Sequence, residues 1–150
     1  MNLPPDILKE LTAHALEDYP SECCGFILQS QPGSLRALRM KNTQDEYHRR
    51  FPDEFTRTSR TAYWMDPAEL LQLHKTLRRQ QERILAIYHS HPEGSAEFSE
   101  EDCRQALWDG EPVFPDVVYL VMSVTKKIIS GSVLYRWNTN QKAFLPCADL

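Results

Sequence analysis

The chain is short of glycine. Five occur in 150 residues, at positions 25, 33, 94, 110 and 131, and that scatter can form neither a phosphate-cradling Walker loop nor a dinucleotide fingerprint. Cysteine is also sparse. Cys23, Cys24, Cys103 and Cys147 include no Cys-x-x-Cys pair, so a structural zinc cluster of thiolates fails on spacing. A chain of this length buries roughly two-thirds of its unfolded surface without staples, so a disulfide framework is not needed. Neighbouring Cys23 and Cys24 suit reduced thiols and a cytoplasmic compartment. An excess of positive charge is missing too: 17 Lys and Arg face 21 Asp and Glu, a net charge of -4, which argues against a general nucleic-acid binder. No apolar run is long enough to span a bilayer. Met1 to Pro5 lacks the basic start and apolar core of a secretory signal. His-Glu-x-x-His is absent, which excludes the common zincin arrangement. His91-Pro92-Glu93 is a His-x-Glu, but no Pro-Cys-x-x-Cys follows it, as a nucleobase deaminase would require.

What is present concentrates between Tyr88 and Asp102, read as YHSHPEGSAEFSEED. The run Ile84-Leu85-Ala86-Ile87-Tyr88 predicts a strand, and alternate strand side chains share a face. His89 and His91 therefore point the same way, near enough to share a metal ion. Pro92 stops the strand. Ser99 predicts a helix N-cap with Asp102 in the first turn. Two imidazole nitrogens and one carboxylate oxygen make a three-ligand site with an open fourth position, as a catalytic zinc requires. Taken alone, Ser99-x-x-Asp102 reads equally as a near capping box with no chemistry attached. A lone strand histidine reads equally as an ordinary hydrogen-bonded side chain.

The combination of His89-Ser90-His91-Pro92, six residues, Ser99, two residues and Asp102 resembles the signature of the JAMM metalloproteases, the catalytic branch of the MPN domain family. Upstream, Ser21-Glu22-Cys23-Cys24-Gly25-Phe26-Ile27-Leu28 resembles the segment in which that family places a glutamate at its first strand. The resemblance is to the compact bacterial form. It implies an α/β fold, a single domain over residues 1–150 with a curved mixed sheet and flanking helices, related to the cytidine deaminases. It implies Zn2+ held by His89, His91 and Asp102, with Glu22 as general base and Ser99 as a hydroxyl that stabilises the tetrahedral oxyanion. It also implies cleavage of a peptide or isopeptide bond after the C-terminal glycines of a ubiquitin-like protein. The short segment between Gly110 and Val117 leaves little room for ubiquitin-clamping insertions, which favours a small sulfur-carrier protein as the partner. Two other expectations stay open: an MPN scaffold or binding module without metal, and a peptidase for phage-tail or cell-wall material. Cys23 or Cys24 as a thiol nucleophile is disfavoured by apolar neighbours.

Along the rest of the chain, Asp6 to Tyr19 predicts a first helix with Leu8, Leu11, Ala15 and Leu16 on one stripe, ended by Pro20. Cys23 to Gln29 predicts a buried strand, Gln31 to Ser34 a turn, and Leu35 to Met40 the hairpin partner. Asn42 to Arg60 reads as a solvated loop. Its Arg49, Arg50, Arg57 and Arg60 leave a docking surface for a carboxylate-bearing partner as the lesser reading. Ala62 to Met65 predicts a short strand. Asp66-Pro67-Ala68-Glu69 then starts a helix reaching about Glu82, with Leu70, Leu73 and Leu77 inward and His74 on its surface. The helix opened by Ser99 is expected to run to Trp108, with Gly110 as its C-cap. Val117 to Val124 predicts a central strand, Ile128 to Trp137 another, and Lys142 to Leu145 a last edge strand.

Overall fold

The computed structural model describes residues 3–30 and 33–150. Its centre is a six-stranded sheet in the order β2-β1-β3-β6-β7-β8. The strands are β1 (Cys24–Gln29), β2 (Leu35–Met40), β3 (Arg83–Pro92), β6 (Val118–Thr125), β7 (Ile128–Asn138) and β8 (Ala143–Cys147). A separate two-stranded hairpin comprises β4 (Leu107–Trp108) and β5 (Glu111–Pro112). Among the described residues the β3–β6 pairing alone is parallel within the large sheet, and the others are antiparallel. The sheet is therefore mixed, as expected. Among the described residues the four helices are α1 (Pro5–Asp18), α2 (Gln44–Arg50), α3 (Pro67–Gln80) and α4 (Glu100–Ala106).

The period of two along the central strands builds two cores. Val118, Leu120 and Met122 pack with Tyr88 and with Ile7, Leu11 and Ala15 of α1 on one face. Tyr119 and Val121 pack with Ile87, with Leu77 of α3 and with Ala106 of α4 on the other. Strands covered on both sides read as near-continuous apolar runs, and β6 is buried from Val118 to Val124 with Ser123 as a polar interruption. Gly25 is required by close approach: a Cβ there would lie 2.6 Å from the Tyr88 hydroxyl and clash with the Leu38 carbonyl. Among the described residues, no helix is long and apolar enough to cross a membrane.

Helix α3 begins as expected, with the Asp66 carboxylate accepting from Ala68 N at 2.8 Å and Glu69 N at 3.2 Å. It ends at Gln80, two residues early, with Gln81 in the left-handed region. Leu77 is buried, whereas Leu70 and Leu73 are half-buried.

Leu8, expected on the inward stripe of α1, is exposed, and Ile7 is buried instead. Three further expectations differ. The stretch Asn42 to Arg60 is not all loop: Gln44–Arg50 is helical, and Tyr47, Phe51, Phe55 and Trp64 gather into an aromatic cluster with ring centroids 5.0–6.1 Å apart. Ala62 to Met65 is not a strand. Asn42 and Thr43 take its polar backbone groups instead, through Trp64 N to Asn42 Oδ1 at 3.1 Å and Thr43 N to Trp64 O at 2.8 Å. Helix α4 stops at Ala106, and Gly110 (φ +77) with Asp109 (φ 51) forms the turn of the β4–β5 hairpin rather than a helix cap. Two consecutive positive φ values suit a tight hairpin turn. The expected turn at Gln31 to Ser34 lies partly outside the described residues.

Candidate metal centre

Strand β3 presents His89 and His91 on the face covered by α3 and α4, and leaves Tyr88 and Ser90 to the face covered by α1. The loop after Pro92 then brings α4 back over the histidines. Ser99 caps that helix, and Asp102 N donates to Ser99 Oγ at 3.1 Å. In return Asp102 Oδ2 accepts from Ser99 N and Ser99 Oγ, each at 2.7 Å. The capping box is real, and it fixes the carboxylate. The same capping geometry aims Asp102 at both imidazoles.

His89 Nε2 lies 3.1 Å from Asp102 Oδ1, His91 Nε2 lies 3.3 Å from Asp102 Oδ2, and the two Nε2 atoms are 3.1 Å apart. His91 Nδ1 sits 2.8 Å from the Ser95 carbonyl. A carbonyl only accepts, so Nδ1 carries the hydrogen and Nε2 of the neutral ring bears the lone pair. Such a second hydrogen bond is how a ligating histidine is usually oriented. Lone pairs and a carboxylate converging on one point repel one another unless a cation lies between them. The donor set, two imidazoles and one carboxylate, fits a zinc-like divalent ion with a position left open. His89 and Asp102 are both buried. His89 Nδ1 has no hydrogen-bond partner, and the ring is held by packing, 4.8 Å between centroids from Tyr63. Burial alone would raise the Asp102 carboxyl, but the imidazoles beside it hold it far below the ordinary carboxylate range. Burial works to lower His91, and the hydrogen bond that the protonated ring gives Asp102, with the nearby Glu22 carboxyl, outweighs that and raises it.

Glu22 comes to this place through strand pairing. In the β1–β3 register Cys24 faces His89. Ser90 N to Cys23 O at 3.1 Å and Cys23 N to Ser90 Oγ at 2.9 Å extend the pairing. One residue further Glu22 stands beside His91, on the face it shares with Cys24. It is buried, and its Oε2 has no partner. Burial pushes its carboxyl up to about 8, against the opposing pull of His91. A buried carboxyl whose affinity for protons is raised toward neutrality can take and return a proton. Its main chain is clamped: Glu22 N donates to Ser59 O at 2.7 Å, and Asn42 Nδ2 donates to Glu22 O at 2.9 Å.

Asn42 also belongs to this surround, although nothing in the sequence singles it out. Its side chain makes four hydrogen bonds, to Glu22 O, Ala62 O, Gln44 N and Trp64 N, and so ties Glu22 to the segment carrying Tyr63. Nothing local marks it, since an Asn after a strand reads as a turn residue. Cys23 and Cys24 are fully buried, and burial pushes their thiols up, Cys23 to about 12, so neither offers a thiolate. An apolar cleft of about 370 Å³ adjoins the site, with Tyr63, Met65, Leu107, Phe114 and Tyr119 among its walls.

Residues 4–137 match the model of the prokaryotic homologues of the JAB domain. The chain belongs to that family. It is 33% identical over 106 residues to a probable TtuB-protein conjugate cleaving protease of Thermus thermophilus, covering 71% of this chain and 63% of that relative. It is 30% identical over 118 residues to the CysO-cysteine peptidase of Mycobacterium tuberculosis, covering 79% and 69%. It is 27% identical over 129 residues to the desampylase of Haloferax volcanii, covering 82% and 80%. In fold it is similar to a protein from Desulfitobacterium hafniense solved in solution, with a TM-score of 0.67, 23% identity and 97% and 88% coverage. A protein from Salinibacter ruber gives a TM-score of 0.61 at 24% identity, with 100% and 90% coverage. The prokaryotic JAB fold thus matches the α/β mixed sheet expected from the sequence.

Proposed function

We propose that residues 1–150 act as one JAMM-type domain, a zinc-dependent hydrolase that cleaves a peptide or isopeptide bond at the C-terminal tail of a small ubiquitin-like sulfur-carrier protein. The observation that carries this reading is the convergence of His89, His91 and Asp102 beside the buried carboxyl of Glu22. The names of the Thermus and Mycobacterium relatives support the substrate class. His89 Nε2, His91 Nε2 and an oxygen of Asp102 would hold the zinc. Bound there, zinc supplies a fixed positive charge that makes water acidic enough to react near neutral pH and polarises a carbonyl oxygen.

The remaining work falls to the chain itself. Glu22 takes the proton from the attacking water and returns it to the amine nitrogen of the departing group. The walls formed by Tyr63 and Phe98 around His89 keep bulk water from the buried carboxyls and so strengthen their interactions. Ser99 serves as the hydroxyl donor to the developing oxyanion. Its hydrogen rests on Asp102 Oδ2 in the resting protein, so turning it to the substrate leaves that oxygen the Ser99 N–H bond alone. A donor of this kind is worth on the order of 2.7–4 kcal/mol of barrier. A metal-free scaffold would have no need for unopposed acceptors at its core.

The test is mass analysis of Gly-Gly-tailed carriers incubated with the zinc-loaded protein, with Glu22→Gln as control. The wild type is expected to shorten or release the tail of at least one carrier, and Glu22→Gln to bind zinc but turn over slowly. A wild type that takes up no zinc on titration would return the protein to the scaffold reading. A fully active Glu22→Gln would remove Glu22 from its role as base.

A further inference from the structure

Arg57 is a cation with little to do in the resting protein. It lies in the 51–61 segment, whose backbone is fastened beside the candidate centre. Arg57 O accepts from the buried Gln44 side chain at 2.8 Å. Ser59 N and Ser59 Oγ both donate to Asp45, at 2.7 Å each, and Ser59 O holds Glu22 N at 2.7 Å. A rigid main chain thus links Arg57 to the proposed base. Its side chain behaves differently: it is 47% exposed, and the only carboxylate within 4 Å among the described residues is Glu101, at 3.8 Å. Glu101 is already taken. Arg104 Nη2 and Nε donate to it at 2.6 and 3.1 Å, and Gln105 Nε2 at 3.2 Å. Arg57 adds only a 3.4 Å contact from Nη1 to Thr61 O. Glu101 is the neighbour of Asp102, so the guanidinium stands between the helix that carries the candidate ligand and the loop that holds Glu22. Its charge is felt at both carboxyls, as one of the influences lowering Glu22 and Glu101.

We propose that Arg57 is a specificity residue that receives the free α-carboxylate of the leaving group, so that the preferred substrate is a carrier bearing a single amino acid on its C-terminal glycine. This rests on the hydrolase reading above. A guanidinium with its fork uncommitted is the side chain best shaped for bidentate capture of a carboxylate. A leaving group linked through its α-amino nitrogen carries its carboxylate two bonds away from that nitrogen. A lysine side chain in an isopeptide has no carboxylate there, and neither does an internal residue of a longer peptide. In the reaction water adds across the amide. The bond from the glycine carbonyl carbon to nitrogen breaks, a carbon–oxygen bond forms, the carrier departs as its glycine carboxylate, and the amine leaves with the proton returned by Glu22.

The test uses a Gly-Gly-tailed carrier extended by one alanine, made both as the free acid and as the carboxamide, with wild type and Arg57→Gln. The wild type is expected to favour the acid over the amide, and Arg57→Gln to shrink that ratio of kcat/KM by roughly ten- to a hundredfold, mostly through KM. Arg57→Lys should keep part of the ratio. Because the ratio is internal to each variant, a general loss of folded protein leaves it unchanged. Equal cleavage of acid and amide by the wild type overturns the inference and leaves the hydrolase reading standing, as does a ratio unmoved in Arg57→Gln. Cleavage of neither substrate, nor of any carrier in the wider panel, removes the hydrolase reading and this inference with it.

Discussion

His14 and His89 are both buried, on opposite faces of the same sheet, within one residue of each other's partners along β3. His14, on α1, is 4% exposed and has both ring nitrogens occupied, Nδ1 at 2.8 Å from the Tyr88 hydroxyl and Nε2 at 3.3 Å from Asp18. His89 follows Tyr88 in the chain and is 0% exposed, yet its Nδ1 has no partner and its Nε2 faces the acceptors of Asp102 and His91. A buried polar group is normally satisfied, and one left open has a reason. On the α1 face the protein completes its own hydrogen bonds, and the histidine is structural. On the α4 face two imidazoles and a carboxylate converge on one point, a donor set that fits a divalent cation.

The sharpest way to break that contrast is to truncate each histidine and its partners. His89→Ala or Asp102→Ala should abolish tight zinc uptake and lower turnover by about three orders of magnitude or more, several kcal/mol of barrier, while the metal-free protein stays folded. Metal analysis and initial rates check this. A variant that keeps both zinc and turnover contradicts the ligand assignment. His14→Ala should do the reverse. It strands the Tyr88 hydroxyl and opens a cavity at a cost of about 2–4 kcal/mol, seen as a fall in Tm of roughly 5–15 °C, with zinc bound per folded molecule unchanged. Loss of zinc in that variant would mean the two faces are not independent.

Asn42 sharpens the comparison from the loop side. Asn42→Ala removes four hydrogen bonds and should cost about 1–3 kcal/mol. It should also speed amide exchange at Glu22 and lower kcat, with zinc affinity held, because the ligands lie on other elements. Unchanged exchange at Glu22 would show that Ser59 alone holds the base.

The smallest expected effect is in the pH dependence of stability, measured with chelator present. Burial lowers the His14 imidazole below its usual value, against Asp18, Glu17 and Glu10 and together with Arg39. As pH falls through about 6.5 the unfolded chain takes up this proton first, so stability present at neutral pH is lost on acidification. Glu22 has the opposite sign. Its carboxyl is raised from 4.5 to about 8, so the unfolded chain gives up its proton first, and stability is lost as pH rises across that interval. Denaturation midpoints between pH 5 and 8 should therefore fall less steeply on the acid side in His14→Gln and less on the alkaline side in Glu22→Gln. Parallel curves for all three proteins would remove both assignments.

Much of the sheet and the His89, His91 and Asp102 part of the candidate site are legible in the chain because their signals are local. Continuous apolar runs mark β3 and β6, alternation marks β7, and Asp66-Pro67 marks the start of α3 through a cap that needs only four residues. The shared face of His89 and His91 follows from strand geometry alone. Helix α2 is not legible in the sequence, for a physical reason. Its seven residues carry no apolar stripe, and only Tyr47 is turned into an aromatic cluster whose other members come from Phe51, Phe55 and Trp64. Ala62 to Met65 looked like a strand because Ala62, Tyr63 and Met65 are buried. That burial comes from packing against neighbouring segments, with no ladder partner. Gly110 carried a helix-end signature equally suited to a hairpin turn, and local sequence does not choose between them.

The sequence by itself determined which side chains could act as ligands, that two of them share a strand face, and that a carboxylate opens the following helix, because each is set within a turn or two of backbone. Only the tertiary structure decided that α4 folds back so that Asp102 meets both imidazoles, that Glu22 arrives beside His91, and that Arg57 is left uncommitted nearby. The placements of Glu22 and Arg57 depend on the β1–β3 register and on the Asn42 and Asp45 hydrogen bonds, which join positions 14–67 residues apart, and no local pattern in the chain encodes a distance of that kind.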